Sequence, residues 1–253
     1  MTVPAKVLSM DSKTTARALP LGALDLDFVF DPTVTGMSVA CALVRSGAYE
    51  VDLKRPMSEW RTWKSGVRAP VYCDCRTLIA QPEHRAQVGR AFTEAVASLF
   101  PDAEVIAGVA TAGVPWASIV AQELKLPLVY VRNDPKQHGT GRLVEGPLPR
   151  NKRTLIIDDL VASGESVVRV AQRLRQETGA IPIGIQSIVN WGFPHMREVL
   201  GTMRYHSLTS YPQILSSALF DGLVDAAGFT SLMHFYKNPL EHSWPLPPTG
   251  TEA

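Results

Sequence analysis

Two adjacent carboxylates, Asp158 and Asp159, close the apolar run Leu155-Ile156-Ile157, and Leu160, Val161, Ala162, Ser163, Gly164, Glu165 and Ser166 follow. The run suits a strand buried on both faces. The hydroxyl- and glycine-containing turn leads into a helical pattern, and the first turn of a helix offers backbone N–H groups without intrahelical partners. Such an end attracts a phosphate group. Carboxylates just before it can accept hydrogen bonds from sugar hydroxyls. A phosphate site beside a ribose site points to a ribose-phosphate ligand. An ordinary buried strand with an acidic end and a Ser cap has the same local pattern, so this stretch alone leaves both readings open.

Two more segments have the same build. Val129-Tyr130-Val131 runs into a polar loop that carries Arg132, Asn133, Pro135, Lys136, His138, Gly139 and Gly141. Its glycines and proline argue against a helix. Arg132, Lys136 and His138 are three donors for an anion, and a histidine titrates near neutral pH. A basic loop of this kind can close on a polyanion and exclude water; a solvated surface loop is the plainer alternative. Val105 to Val109 runs into Ala110-Thr111-Ala112-Gly113-Val114-Pro115. Gly113 suits a close backbone approach, and Pro115 suits a first helical turn.

The elements that must carry these turns are legible in outline. Helical spacing predicts helices over Met37–Ala48, Arg85–Phe100, Trp116–Leu124 and Glu165–Glu177. Apolar runs predict strands over Glu104–Val109, Leu128–Arg132, Thr154–Asp158 and Ile181–Val189. Trp60 to Arg76 reads as strands and turns. Arg204 to Tyr236 reads as mostly helical, with Ile214, Leu215, Leu219, Leu223 and Val224 as core. Strands alternating with helices indicate a mostly parallel sheet covered on both faces. Ligands gather at the carboxyl ends of such strands, so the turns after Val109, Val131, Asp158 and Val189 can share one cleft.

Composition narrows the classes. A chain of 253 residues with 45% hydrophobic residues supports one sizeable core. A formal net charge of +1 gives no whole-protein field for nucleic acid. Three cysteines make no disulfide framework and suit a reducing, intracellular compartment. Cys73-Asp74-Cys75 lacks the second pair that a metal site needs. No Walker loop, dinucleotide fingerprint or HExxH pair occurs, and Ser163 has no motif-based base partner. The uncharged stretch from Val105 to Gln122 is broken by Gly108, Gly113 and Pro115, which fits strand, turn and buried helix better than a membrane span. Residues 1–21 read as a flexible tail, with an organellar transit peptide as the alternative. Residues 22–236 read as a single domain, and 237–253 as a Pro-rich tail.

The segment from Leu155 to Ser166 resembles the phosphoribosyl-diphosphate motif of type I phosphoribosyltransferases. The spacing of Arg132, Lys136 and His138-Gly139 is similar to the catalytic loop of the orotate branch of that family. Trp63-Lys64-Ser65-Gly66 with Val71-Tyr72-Cys73 is similar to that branch's N-terminal lysine–serine–glycine segment, and Ala110 to Pro115 resembles the diphosphate turn. The resemblance implies an α/β, type I phosphoribosyltransferase-like fold: a mostly parallel sheet flanked by helices, a small N-terminal hood and a helical C-terminal part. It implies transfer of phosphoribosyl from phosphoribosyl diphosphate to orotate, giving orotidine 5'-phosphate and diphosphate, in a cytoplasmic homodimer with shared sites.

Residue by residue, the resemblance puts the ribose hydroxyls on Asp158 and Asp159, and Mg2+ near them through ribose or water. Leu160, Val161, Ala162, Ser163, Gly164, Glu165 and Ser166 surround the 5-phosphate. Thr111, Ala112, Gly113, Arg132, Asn133, Lys136 and His138 fall around the diphosphate, with Lys136 and His138 catalytic. Lys64, Tyr72, Cys73 and Trp191 fall around the base. The chain departs from the family at five of these positions. Asn133 stands where a second lysine is common, Ala112 where some members have lysine, and Ala162 where a hydroxyl residue is frequent. Glu165 replaces a small residue and is expected to point outward. Trp191 follows the strand after which many orotate enzymes place an arginine; it can stack on a base or belong to the core. Another base, or a regulator that senses phosphoribosyl diphosphate on the same fold, are the alternatives.

Overall fold

The computed structural model describes residues 34–63, 66–132, 143–146, 150–193 and 195–239. Helix α1 (Val34–Arg45) is the first element of the described residues and buries Val39, Ala40, Leu43 and Val44. It ends before the expected Ala48 because Gly47, at φ +75°, turns the chain and closes onto the Val44 carbonyl. A small hood follows. Strand β1 (Tyr49–Val51) leads to a single 3-10 turn (Met57–Glu59) and then to β2 (Arg61–Thr62), β3 (Arg68–Ala69) and β4 (Val71–Cys73). Strand β4 returns antiparallel to β1, and β3 returns antiparallel to β2.

Helices α2 (Arg76–Ala80) and α3 (Pro82–Leu99) follow. Helix α3 starts at Pro82, ahead of the expected Arg85, since a first-turn residue needs no amide donor. The alternating part runs β5 (Val105–Val109), α4 (Gly113–Leu124), β6 (Leu128–Val131), β7 (Val144–Glu145), β8 (Arg153–Val161), α5 (Glu165–Thr178), β9 (Ile181–Asn190), α6 (Met196–Leu200) and β10 (Tyr205–Ser210). Helices α7 (Tyr211–Phe220) and α8 (Ala226–Lys237) complete the described chain.

The main sheet has the order β10-β9-β8-β5-β6-β7, and β7 alone runs antiparallel to its neighbour. One face carries Ile106, Leu155, Ile157 and Leu208, packed with residues of α1, α3, α4 and α7. The other carries Val105, Ala107, Val129, Ile156 and Ile185, packed with Val167, Val170, Ala171 and Leu174 of α5. Two layers of helix therefore cover the apolar strands, as their unbroken hydrophobic runs require.

Two expectations for the C-terminal part are corrected. The span from Arg204 is not helical at its start: Tyr205 to Ser210 is an edge strand parallel to β9. It reads as polar, yet all six residues are buried. Side-chain bonds hold it there, with His206 Nδ1 2.9 Å from the Gln186 amide and Tyr205 Oη 2.8 Å from Ser187 Oγ. A capping box of Ser210 and Gln213 then starts α7. Leu223 is not core but 45% exposed, while Val224 beside it is buried.

Close approach also fixes Gly184 in β9. A Cβ there would collide with the Phe100 ring and lie 3.1 Å from the Arg204 carbonyl. Phe100 is held in place, with the Arg204 guanidinium 4.7 Å from its centroid. Gly184→Ala is therefore expected to lower stability by about 1–3 kcal/mol. A fall in the urea midpoint at unchanged m would show it.

Candidate active site

The apolar residues Leu155, Ile156 and Ile157 are fully buried. The strand they form does not stop at the first acid. It runs through both carboxylates to Val161, pairing Asp158 with Ser187, Leu160 with Val189 and Val161 with Asn190. Ladder hydrogen bonds are made by the backbone, so polar side chains do not end a strand at its carboxyl edge. Strand alternation alone would part the two side chains, yet the carboxyls remain within hydrogen-bonding reach of each other. Asp158 is buried, and its Oδ1 accepts a 2.9 Å hydrogen bond from the Asp159 amide. Asp159 is partly exposed, and its carbonyl lies 3.9 Å from Cys75 Sγ.

Burial, and after it the charge of Asp159, pushes the Asp158 carboxyl well above the usual carboxylate range. Burial also raises Asp159, opposed by hydrogen bonds from Asp158 and from the Leu160 amide. The two adjacent acids are raised together, so among the described residues burial outweighs the favourable contacts of both carboxyls.

The turn that begins with Gly113 comes directly against this pair. A Cβ on Gly113 would lie 2.6 Å from the Ile157 carbonyl oxygen and 3.3 Å from Asp158 Oδ1. The Ala110–Thr111 peptide bond in the turn is cis. Thr111 is exposed, Ala112 half-buried, and no side chain caps the start of α4. On the other side of the acids, Ala162 and Ser163 are half-buried and Gly164 takes φ +84° before α5 begins. No side chain caps α5 either, so the first-turn amides after Ser163 face outward to any anion placed there. Ser166 is half-buried, and Glu165 points outward, 3.6 Å from Arg169. Val161 is core, with its carbonyl held by the Trp191 amide, and Leu160 is partly buried.

Arg132 follows β6. Its amide donates to the Leu143 carbonyl, and its guanidinium is 3.9 Å from Glu145. The Leu143 and Val144 amides both donate to Glu177 Oε2, at 3.0 and 3.2 Å. Asn133, Lys136 and His138 lie outside the described residues, as do Lys64, residues 1–21 and 240–253. Because β5, β6, β8 and β9 are parallel neighbours, the Gly113 turn, Arg132, the acidic pair and Asn190 share one edge of the sheet.

In the hood, Tyr72 and Cys73 are partly buried. The Arg61 guanidinium covers the Tyr72 ring at 4.6 Å, and Cys73 Sγ is 4.0 Å from Cys75 Sγ. Trp191 is core. It is 2% exposed, with Tyr211 on one side at 4.5 Å and Trp63 on another at 4.8 Å. A ring so covered has no face left for a base, so its place among the base-binding residues is corrected.

Two features escaped the sequence reading. Behind Asp158, its register partner Ser187 bonds Tyr205. Seeing that needs the pairing of β10 on β9, which no local pattern announces. The other is Trp63, the hood ring that covers Trp191. Its place beside Lys64 was the available signal.

Comparison with known proteins gives a consistent result. Residues 77–195 match the phosphoribosyl transferase domain family. The orotate phosphoribosyltransferase of Bacillus subtilis (strain 168) is 37% identical over 185 residues, which are 72% of this chain and 85% of that one. A solved orotate phosphoribosyltransferase from Aeropyrum pernix superposes with a TM-score of 0.61 at 26% identity, covering 74% of this chain and 99% of the other. The UMP synthase of Leishmania donovani superposes with a TM-score of 0.66 at 24% identity, over 79% of this chain and 42% of that one.

Proposed function

The chain belongs to the orotate phosphoribosyltransferase family, and from that membership we propose that it transfers phosphoribosyl from phosphoribosyl diphosphate to orotate. The products are orotidine 5'-phosphate and diphosphate, a step of pyrimidine nucleotide biosynthesis. The geometric observation that carries the reading is the contact of the Gly113 turn with the buried acidic pair, beside the uncapped start of α5. It supports a reading with an anion on each side of a polyhydroxyl sugar.

Breaking the C1–O bond gives the ribose oxocarbenium character, as in glycoside chemistry. No nucleophilic side chain is required. The protein's tasks are to hold the sugar, stabilise the departing negative charge and exclude water. Asp158 and Asp159 accept hydrogen bonds from the ribose hydroxyls. The α5 amides with the Ser163 and Ser166 hydroxyls hold the 5-phosphate, with Leu160 to Glu165 shaping the turn. Thr111, Ala112 and Gly113 meet the diphosphate through backbone groups. Arg132, Asn133, Lys136 and His138 are assigned to the diphosphate, and Lys64, Tyr72 and Cys73 to the base.

Magnesium fits this donor set, since a hard cation prefers oxygen ligands and two carboxyls stand side by side at the end of β8. Among the described residues no group of three or more His, Cys, Asp or Glu could hold a metal by itself. Asp158 and Asp159 would therefore hold the ion through ribose hydroxyls or water, and when bound it supplies charge neutralisation for the diphosphate. By the family resemblance, Lys136 and His138 are assigned to the diphosphate in the site of a second copy of a homodimer. The near-neutral charge and the free cysteines suit a cytoplasmic enzyme without nucleic-acid partners. Among the described residues no helix is long and apolar enough to cross a membrane.

The test is incubation with phosphoribosyl diphosphate, magnesium and a panel of bases, following diphosphate release. Release with orotate alone supports this reading. Release only with another base replaces the substrate, and binding without turnover makes the chain a sensor. A variant tests the loop. Lys136→Ala is expected to lower kcat roughly 10- to 100-fold with KM for phosphoribosyl diphosphate within about threefold, because the contact matures as the leaving charge develops. Equal losses in both constants would remove Lys136 from that role.

A further inference from the structure

A glutamate on the outer side of a surface helix is ordinarily solvated. Glu177, near the end of α5, is exposed as a residue. Its Oε2 nevertheless accepts hydrogen bonds from two successive backbone amides, Leu143 at 3.0 Å and Val144 at 3.2 Å. These amides lie 34 and 33 residues earlier in the chain. An ionised acceptor makes stronger bonds to N–H groups than a neutral one.

The two amides belong to the weakest part of the main sheet. Strand β7 has two residues, stands last in the strand order and pairs only with β6. Its register sets Val144 against Val131 and Glu145 against Tyr130. A two-residue ribbon is marginal by itself, and outer amides of an edge strand are left to water unless a side chain takes them. Glu177 takes these two. It adds a polar tie to the apolar packing of Leu143 and Val144, which lie in one cluster with Val167, Val170 and Leu174 of α5.

The tied segment in turn holds Arg132. The Arg132 amide donates to the Leu143 carbonyl at 2.9 Å, and its guanidinium is 3.9 Å from Glu145. Both contacts come from the stretch that Glu177 grips. Arg132 follows β6 at the carboxyl ends of the parallel strands, where the Gly113 turn and the acidic pair also stand. A cation stabilises a departing charge only as well as it is placed beforehand.

We propose that Glu177 is a positioning residue for the reaction: it fixes the short strand that holds Arg132 in place for the diphosphate. The inference rests on the phosphoribosyl-transfer reading and adds to it a residue on the opposite end of α5 from the 5-phosphate.

The experiment compares purified wild type, Glu177→Ala, Glu177→Gln, Arg132→Ala and the double variant Arg132→Ala/Glu177→Ala. Alanine is the best helix former and suits this exposed position. Glu177→Ala is expected to lower kcat/KM for phosphoribosyl diphosphate roughly 10-fold, on the scale of a small misplacement of a charge-stabilising group, with KM for the base within about threefold. Glu177→Gln keeps an acceptor oxygen for the two amides and should return kcat/KM to within about threefold of wild type. On top of Arg132→Ala, Glu177→Ala should cost less than about twofold more, since residues that act through one another are not additive. Amide hydrogen exchange at Leu143 and Val144 should be faster in Glu177→Ala than in wild type, which reads the tie without any turnover. Unchanged kcat/KM in Glu177→Ala, a glutamine variant as slow as the alanine one, an equal loss in both backgrounds, or unchanged exchange overturns the proposal. Wild type that releases no diphosphate with any base overturns the phosphoribosyl-transfer reading, and this role with it. Wild-type turnover beside an unaffected Glu177→Ala overturns this role alone.

Discussion

Asp158→Asn is expected to unfold at a higher temperature than wild type at pH 7 and to lose activity on the order of 10²- to 10³-fold. Both effects have one cause. Asp158 is 8% exposed, and its carboxyl is raised by burial and by the charge of Asp159. A folded-state pKa above the unfolded value means that the folded protein binds the proton more tightly. The stability from that proton is fully present below the ordinary carboxylate pKa and is lost as pH rises through the raised folded value. At pH 7 an acid at this position therefore contributes less to folding than it does at pH 4. Asparagine is nearly isosteric, and its Oδ1 can still accept the bond that Asp159 N–H donates. Removing the charge also relieves Asp159, whose own carboxyl is raised by burial.

A gain of about 1–2 kcal/mol is expected, paired with lost function, as at other sites that store unfavourable charge. The activity loss follows because a neutral amide accepts more weakly from the ribose hydroxyls and adds no charge against the oxocarbenium. Thermal unfolding without substrate at pH 4 and pH 7, beside initial rates of diphosphate release, measures both. The stability gap between variant and wild type should widen from pH 4 to pH 7. A gap that narrows, or a variant with wild-type turnover, would remove the strained-acid account.

Much of this arrangement could be read in the chain because the strand–turn–helix units announce themselves locally. Leu155-Ile156-Ile157 is apolar without alternation, and a buried parallel strand needs that pattern. Gly164 marks the turn, and α5 follows with Val167, Val170, Ala171 and Leu174 on one face. The same logic revealed β5 with α4. What could not be read depends on pairing rather than on composition. Strand β10 is written in Tyr, His, Ser and Thr, and its polar atoms become tolerable only when Gln186 and Ser187 of β9 are beside them. Strand β8 outlasts its apolar run because β9 continues to pair with it. Trp191 offered either a base-stacking ring or core. The choice was made by Tyr211 from α7 and Trp63 from the hood, which lie 20 and 128 residues away in sequence. Long-range contacts of that kind leave no periodic trace.

Gly113→Ala is expected to destabilise the fold by about 3 kcal/mol or more and to leave little activity in whatever folds. Most glycine-to-alanine changes act through backbone dihedrals. Gly179 is such a case: at φ +69° with nothing within 4 Å of a built Cβ, its replacement costs about 1–2 kcal/mol. Gly113 differs, because it sits at the first residue of α4 without a positive φ. Its constraint is the neighbouring strand. A methyl group would lie 2.6 Å from the Ile157 carbonyl and 3.0 Å from the Asp158 Cα. Both atoms belong to the backbone of β8, held between β5 and β9, so they cannot rotate away as a side chain could. Either α4 lifts from the sheet or β8 shifts. Lifting α4 disturbs the packing of Trp116, Ala117 and Val120, all fully buried, at the upper end of overpacking costs. Shifting β8 moves Asp158. Either response separates the turn of Thr111 and Ala112 from the acidic pair, and with it the proposed diphosphate site from the ribose site. Denaturant midpoints of Gly113→Ala and Gly179→Ala, with rates for each, make the comparison. A Gly113→Ala protein as stable and as active as Gly179→Ala would mean that α4 and β8 do not meet as closely as the geometry requires.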